Sequence, residues 1–296
     1  MITQIKGIRL ACPECKIPFE THVRPVDNHE LVCSKCHHRY PIWGGRPCLL
    51  PQSNHGLNPV WKNAFEKEKN RPPLQKALLK LGQRLHAPRM TPRKKPHFDL
   101  LAALEKDGPF KALFVGYNRN FEDRLSRNII QIDVIPKEYV DIVAMWEFVP
   151  FPDNAFDLVV ISGVIEHTQY PFKVMDEAYR LLKPRGKVYV SSPWVYPFHN
   201  GDNYRFSHEG LQLLCNRFSN MEIGSLDGPL HALGIFLLYL TAEYLSFGNR
   251  YLRYILSLFF SWLVFPLFLI DVLINNPNKS KCVLDANIYA IATKEK

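Results

Sequence analysis

Residues 156–193, "FDLVVISGVIEHTQYPFKVMDEAYRLLKPRGKVYVSSP", decide the fold. "DLVVIS" is apolar at successive positions rather than at alternate ones, the mark of a strand covered by helices on both faces. "PFKVMDEAYRLLK" then carries a helical apolar rhythm, and "KVYVSSP" is a second strand. Strand, helix and strand in this order place two parallel strands in one sheet. Upstream, "KALFVG" (111–116) and "IIQIDVI" (129–135) repeat the short apolar run. Residues 98–226 therefore read as an open, largely parallel α/β sheet. Far downstream, "NIYAIATKEK" (287–296) reads as one more strand.

The chain has 296 residues, 47% of them apolar, and a formal charge of +9. That content buries a large core and excludes a disordered class. The charge is local. Between Val60 and His97 there are eleven Lys or Arg against Glu66 and Glu68, an excess of nine that equals the whole chain's. Residues 53–97 read as a basic, proline-rich linker with one helix around Leu74, Ala77, Leu78 and Leu81. Seven cysteines, four of them in two tight pairs, are too few and too uneven for a secreted disulfide scaffold, and "MITQIKGIRLACPEC" holds no apolar run that argues for export, so a reducing, cytoplasmic setting is expected.

Cys12 and Cys15 in "CPEC", and Cys33 and Cys36 in "CSKC", are two C-x2-C pairs separated by seventeen residues. Each pair fits a tight turn, so four thiolates can converge on one tetrahedral zinc ion with no open coordination position. Such a closed site folds a small module and has no chemistry of its own. The run from Leu10 through "YPIWGGRPCLLP" (40–51) resembles the zinc-ribbon module of small methyltransferase-partner proteins. The resemblance implies an accessory module over 1–52, with a surface for a protein partner.

Residues 111–211 resemble the class I S-adenosylmethionine-dependent methyltransferases of the type-11 group. The stretches that carry this are "ALFVGYN", the long run from "IDVIPKEYV" to "VYVSSP", and "FHNGDNYRFSHEGLQLL". The fold class implied is α/β, a Rossmann-like class I methyltransferase sheet over 98–296. The small N-terminal zinc ribbon precedes it, and an apolar helical insertion, 230–275, comes before the last strand. Against the family's "LDVGcGtG", the stretch "ALFVGYNRN" (112–120) keeps only Gly116. Asn118 stands where a glycine usually turns, and asparagine tolerates left-handed backbone better than most residues. Asp133, seventeen residues after Gly116, is where an acid accepts both ribose hydroxyls; as a bare strand-end aspartate it would cap a turn. Met145 replaces the acid that meets the adenine amine, which leaves backbone around Met145 and Trp146, or packing, to hold the base. Glu166 and His167 in "SGVIEHTQYP" follow the fourth strand, near the transferred methyl group. His167 is the candidate general base and His199 its rival. Asp202, Tyr204 and Arg205 are candidate acceptor contacts, with a loop-fixing Asp202–Arg205 ion pair as the alternative.

The zone from 227 is far more apolar than an α/β domain requires. Tyr254 to Ile270 holds seventeen uncharged residues, at the lower limit for a bilayer span, while "HALGIFLLYLTA" is stopped by Glu243 and Pro266 and Asp271 interrupt the second arm. A returning final strand also argues against a single crossing. The expectation is a pair of helices lying in a membrane interface, or else an apolar cap over a greasy acceptor. Together these features point to an S-adenosylmethionine-dependent methyltransferase acting on a small or lipid-linked acceptor, a saccharide among the candidates, by O-methylation, from the inner face of a membrane. An RNA methyltransferase using the zinc ribbon and basic linker, or a non-catalytic scaffold, are the competing readings; the apolar zone argues against nucleic acid.

Overall fold

The computed structural model describes residues 3–19, 30–43, 45–51, 72, 85, 96–116, 127–137, 139–198, 201–274 and 284–295. The linker helix expected near residues 74–81, Asn118 and His199 lie outside the described residues. In chain order the N-terminal strands are β1 (Gln4–Ile5), β2 (Ile8–Arg9), β3 (Glu30–Val32), β4 (Arg39–Trp43) and β5 (Arg46–Leu49). There follow α1 (Pro96–Asp107), β6 (Ala112–Val115), β7 (Ile129–Asp133), β8 (Ile142–Ala144), β9 (Phe156–Ser162), α2 (Pro171–Leu181) and β10 (Leu182–Pro193). The chain continues with α3 (His208–Leu214), β11 (Ser219–Asp227), α4 (Pro229–Leu245), α5 (Arg250–Ile274) and β12 (Asn287–Thr293).

The large sheet runs β11-β12-β10-β9-β6-β7-β8-β5-β4-β3. The strands from β10 to β5 are mutually parallel, while β12 lies antiparallel between β10 and β11. Successive apolar residues of one strand serve opposite faces: Leu113 and Val115 enter one core cluster, Ala112 and Phe114 the other, under Leu101 of α1. That division is why these strands read as continuous apolar runs. On α2, Val174, Met175, Ala178 and Leu181 recur at helical spacing and form its buried face. Val115 stands opposite both Ile132 and Ile161, so β9, β6 and β7 end at one edge. From β6 the chain winds outward to β7 and β8 and then returns to β9 and β10, and such a reversal opens a crevice at the carboxyl edge.

The cysteine-rich module is built into this sheet. β5 pairs in parallel with β8, matching Cys48 to Val143 and Leu49 to Ala144. Leu10, Tyr40 and Leu49 of the module share one core with Trp146, Val149 and Phe151. Lys16 reaches Glu177 of α2 at 2.8 Å, and Glu177 also accepts from the Val149 N–H and from Arg180. Burial works against ionisation of Glu177, but Arg180 and Lys16 hold it below the ordinary carboxylate value.

The apolar C-terminal zone is a helical hairpin, and it departs from the sequence in two ways. The first arm does not stop at Glu243: α4 runs to Leu245, and Glu243 pairs with Arg253 at 2.8 Å beside the turn. Nor is the second arm interrupted, since α5 continues through Pro266. Asp271 ends nothing, because its carboxylate turns inward and accepts from the Gly228 and Leu230 N–H groups at 2.8 and 3.0 Å. It thereby satisfies donors that the first turn of α4 would otherwise leave unpaired. Ile235 and Leu238 of α4 pack on Val264 and Phe268 of α5. The outward faces stay apolar, with Leu233, Phe236, Leu240 and Tyr244 exposed on one helix and Ile255, Phe259, Trp262 and Leu263 on the other. Among the described residues, Tyr251–Leu273 is the one stretch long and apolar enough to cross a bilayer.

Candidate active site

Among the described residues, the carboxyl edge of the sheet collects Gly116, Asp133, Met145, Trp146, Glu166 and His167. Gly116 follows β6 with a φ of +73°, and a Cβ there would lie 2.1 Å from Val164 Cγ2, so only glycine lets the end of β6 and the segment after β9 approach this closely. Asp133 ends β7, where one carboxylate oxygen accepts from the Ile135 N–H at 3.0 Å and the other stands 3.5 Å from Lys137 Nζ. The turn-capping use of this aspartate is thus present, alongside its placement at the strand end. Met145 and Trp146 follow β8 and are buried. The same loop carries a contact that the sequence did not announce: Thr168 Oγ1 donates to Glu147, joining the segments after β8 and β9. Burial pushes the Glu147 carboxyl above its ordinary value, against the pull of Thr168.

Glu166 and His167 follow β9, and the "GDNYRF" segment after β10 folds down onto them. Asn203 and Tyr204 N–H groups donate to Glu166 O at 2.7 and 3.1 Å, and Asn203 Nδ2 donates to His167 O at 2.8 Å. His167 Nδ1 stands 3.1 Å from Asp202 Oδ1, while Arg205 Nη2 donates to Asp202 Oδ2 at 2.5 Å. His167 Nε2 lies 3.9 Å from Glu166 Oε1. The Asp202 side chain is 2% exposed, so it is enclosed by these partners. Tyr204 is more open and donates to Gln169 O at 3.1 Å. Burial drives the Glu166 carboxyl up to about 8, with Asp202 adding to the rise, so it stays protonated at neutral pH. Its Oε2 is buried and has no hydrogen-bond partner among the described residues. A neutral acid with an orphaned oxygen, beside the glycine turn, fits a polar ligand at this edge.

In the N-terminal module Cys12, Cys15, Cys33 and Cys36 place their sulfurs within 4.8 Å of one another. Their separations include 3.7 Å for Cys12–Cys36 and 3.8 Å for Cys15–Cys36. A tetrahedron with metal–sulfur bonds of about 2.3 Å has edges of about 3.8 Å, so the four thiols fit a zinc ion. His38 pairs with Glu14, 2.5 Å from its carboxylate, and both lie within 4.8 Å of the Cys36 sulfur. The four-sulfur set stands without it.

Two family models match this chain: residues 117–190 match "Methyltransferase domain" and residues 10–45 match "Trm112p-like protein". Among curated relatives, the ubiquinone/menaquinone biosynthesis C-methyltransferase of Enterobacter sp. (strain 638) is 31% identical over 99 residues, which is 26% of this chain and 39% of that protein. An uncharacterized methyltransferase of Mycobacterium leprae is 35% identical over 66 residues, 22% of this chain and 24% of its own length. The chain thus spans less than half the length of these relatives. Among solved structures, Haemonchus contortus phosphoethanolamine N-methyltransferase 2 in complex with S-adenosyl-L-methionine has a TM-score of 0.41 at 18% identity, covering 66% of this chain and 52% of that one. With the sheet, its carboxyl-edge site and the four-cysteine cluster in place, residues 117–190 carry the match to a methyltransferase domain and residues 10–45 the match to a Trm112p-like module.

Proposed function

We propose that this chain transfers the methyl group of S-adenosylmethionine to a hydroxyl of a small or lipid-linked acceptor at a membrane surface. The observation that carries this is the closure of the "GDNYRF" segment over Glu166 and His167, at the edge where the glycine turn of β6 also ends. S-adenosylmethionine, when bound, supplies an electrophilic methyl group on a sulfonium. The chain's own work is alignment and proton removal. Gly116 and Asn118 would shape the loop beside the cofactor, Asp133 would take the ribose, and Met145 and Trp146 would hold adenine. Glu166 offers its protonated carboxyl to the ligand's polar end, a role its orphaned oxygen supports. His167 is the base we favour, with His199 its rival, and Tyr204 and Arg205 face the acceptor. Zinc at Cys12, Cys15, Cys33 and Cys36 holds the module over 1–52, which 53–97 joins to the catalytic domain over 98–296.

The exposed apolar hairpin supports the membrane setting, on the inner, cytoplasmic face, because lipid is the solvent that leaves such surface unpenalised. The Trm112p-like module favours a further protein contact at its outer face. Incubation of the full chain with methyl-labelled S-adenosylmethionine and a total cell extract tests the reading. Label is expected in the solvent-extractable lipid fraction. Label in RNA, with binding that falls steeply as salt rises, would replace this reading with an RNA methyltransferase.

A further inference from the structure

Asp202 was expected to meet the acceptor or to fix its own loop through Arg205. Its surroundings give it another partner. It sits on the segment after β10, yet its carboxylate is enclosed between Arg205, which donates to Oδ2 at 2.5 Å, and the ring of His167, whose Nδ1 is 3.1 Å from Oδ1. Asn203, the next residue, clamps the His167 carbonyl at 2.8 Å, so main chain and ring of His167 are both held from the same segment. Glu166, across the ring at 3.9 Å, is the other carboxyl facing it. Arg205 also donates to Pro197 O at 3.3 Å, which ties the clamp to the chain leaving β10.

We propose that Asp202 is a positioning residue for His167, anchored by Arg205, and that it fixes the ring proton on Nδ1 so that Nε2 is the basic nitrogen. The inference rests on reading this edge as the methyl-transfer site. A neutral imidazole carries one proton, and the hydrogen bond made by one nitrogen decides which nitrogen holds it. With a carboxylate oxygen 3.1 Å from Nδ1, a ring proton held on Nδ1 leaves the lone pair at Nε2. Were S-adenosylmethionine bound, its methyl group would pass to the acceptor oxygen and leave a neutral thioether, and Nε2 would take the hydroxyl proton. The imidazolium formed lies beside the Asp202 carboxylate, which balances its charge. The present spacing is an ion-pair distance, and such contacts tighten when the site fills.

Nitrogen-15 spectra of histidine-labelled full chain test this without knowledge of the acceptor. The His167 ring signals are identified by their loss in His167→Gln. In the wild type the neutral ring is expected in the Nδ1–H form. In Asp202→Asn, Arg205 keeps the amide oxygen on its own side, which turns the amide NH2 toward Nδ1 and drives the proton to Nε2. A tenfold or larger reversal of the two forms is the expected result. An Nε2–H ring in the wild type, or the same form in both proteins, would overturn the proposal; the wild-type spectrum decides alone if the variant does not fold. A segment that only latches the loop would lower the melting temperature in Asp202→Asn and leave the ring proton where it was. Calorimetry with S-adenosylmethionine on the same samples keeps the issues apart: failure to bind sinks the proposed function, while the ring signals still decide the pairing.

Discussion

At the scale of single residues the site is governed by burial. Glu166 keeps its proton up to about pH 8 in the folded chain, against 4.5 for an ordinary glutamate. Between these values unfolding releases a proton, so the stability this group confers is complete below about pH 4.5 and is lost as pH rises through 8. Glu166→Gln has no proton to lose. Thermal unfolding followed from pH 5 to 8 should show the wild type falling relative to that variant. Parallel curves would mean that the carboxyl is ionised and solvated. Residue identity at the edge was legible beforehand, since Gly116, Asp133, Glu166 and His167 stand where apolar runs end. The partners of these residues were not. His167 and Asp202 are 35 positions apart in sequence, and nothing in either motif says that one side chain closes on the other. Asn203 stood inside the motif that was singled out, and its clamp on the His167 carbonyl emerges only from the fold.

At the scale of elements two carboxylates show how tertiary placement decides a role. Asp271 reads in sequence as an interruption of an apolar helix. In the structure it is the cap of the neighbouring helix, buried at 1% exposure and accepting from the Gly228 and Leu230 N–H groups. Asp271→Ala should cost about 1–2 kcal/mol, the usual worth of a lost cap, read as a drop in melting temperature with the hairpin still helical. Glu177 plays the equivalent part for the cysteine module. Its folded value is lowered, so its contribution is present above the ordinary carboxylate value and disappears as pH falls through the lower folded one. Burial at the same time holds Lys16 below the ordinary lysine value, although Glu177 opposes that, so the pair gains less than the carboxylate alone suggests. Glu177→Gln leaves Lys16 and Arg180 facing an uncharged partner and should destabilise the chain by about 1–3 kcal/mol in chemical denaturation. A smaller loss would show that the shared core, not the ion pair, docks the module. The cysteine spacing announced the convergence of the four sulfurs. The parallel pairing of β5 with β8 was hidden, because parallel partners carry no turn signal between them.

At the scale of the whole molecule, the mixed α/β sheet carries a hairpin whose helices are about 26 and 38 Å long and apolar on their outward faces. The sequence showed how apolar this zone is and that the chain returns to the sheet as a final strand. It did not show that the arms pair with each other, which leaves their outer faces, rather than one shared stripe, to be covered. Wild-type protein should float with vesicles of phosphatidylcholine and anionic lipid. A Leu240→Glu, Leu263→Glu double variant, changed at two exposed positions, should lose tenfold or more of that binding while keeping its melting temperature. Wild type that stays with the soluble fraction would give the hairpin to a protein partner instead.

The central claim is that a loop with one glycine still forms a cofactor site. Titration calorimetry of S-adenosylmethionine into the full chain and into Gly116→Val measures it most directly. Valine at a φ of +73°, where even a Cβ meets Val164 at 2.1 Å, must push the end of β6 away from the segment after β9. The account predicts binding by the wild type in the micromolar to sub-millimolar range usual for enzyme ligands, and at least tenfold weaker binding by the variant. No heat of binding to the wild type at millimolar cofactor would contradict it and leave the fold as a scaffold.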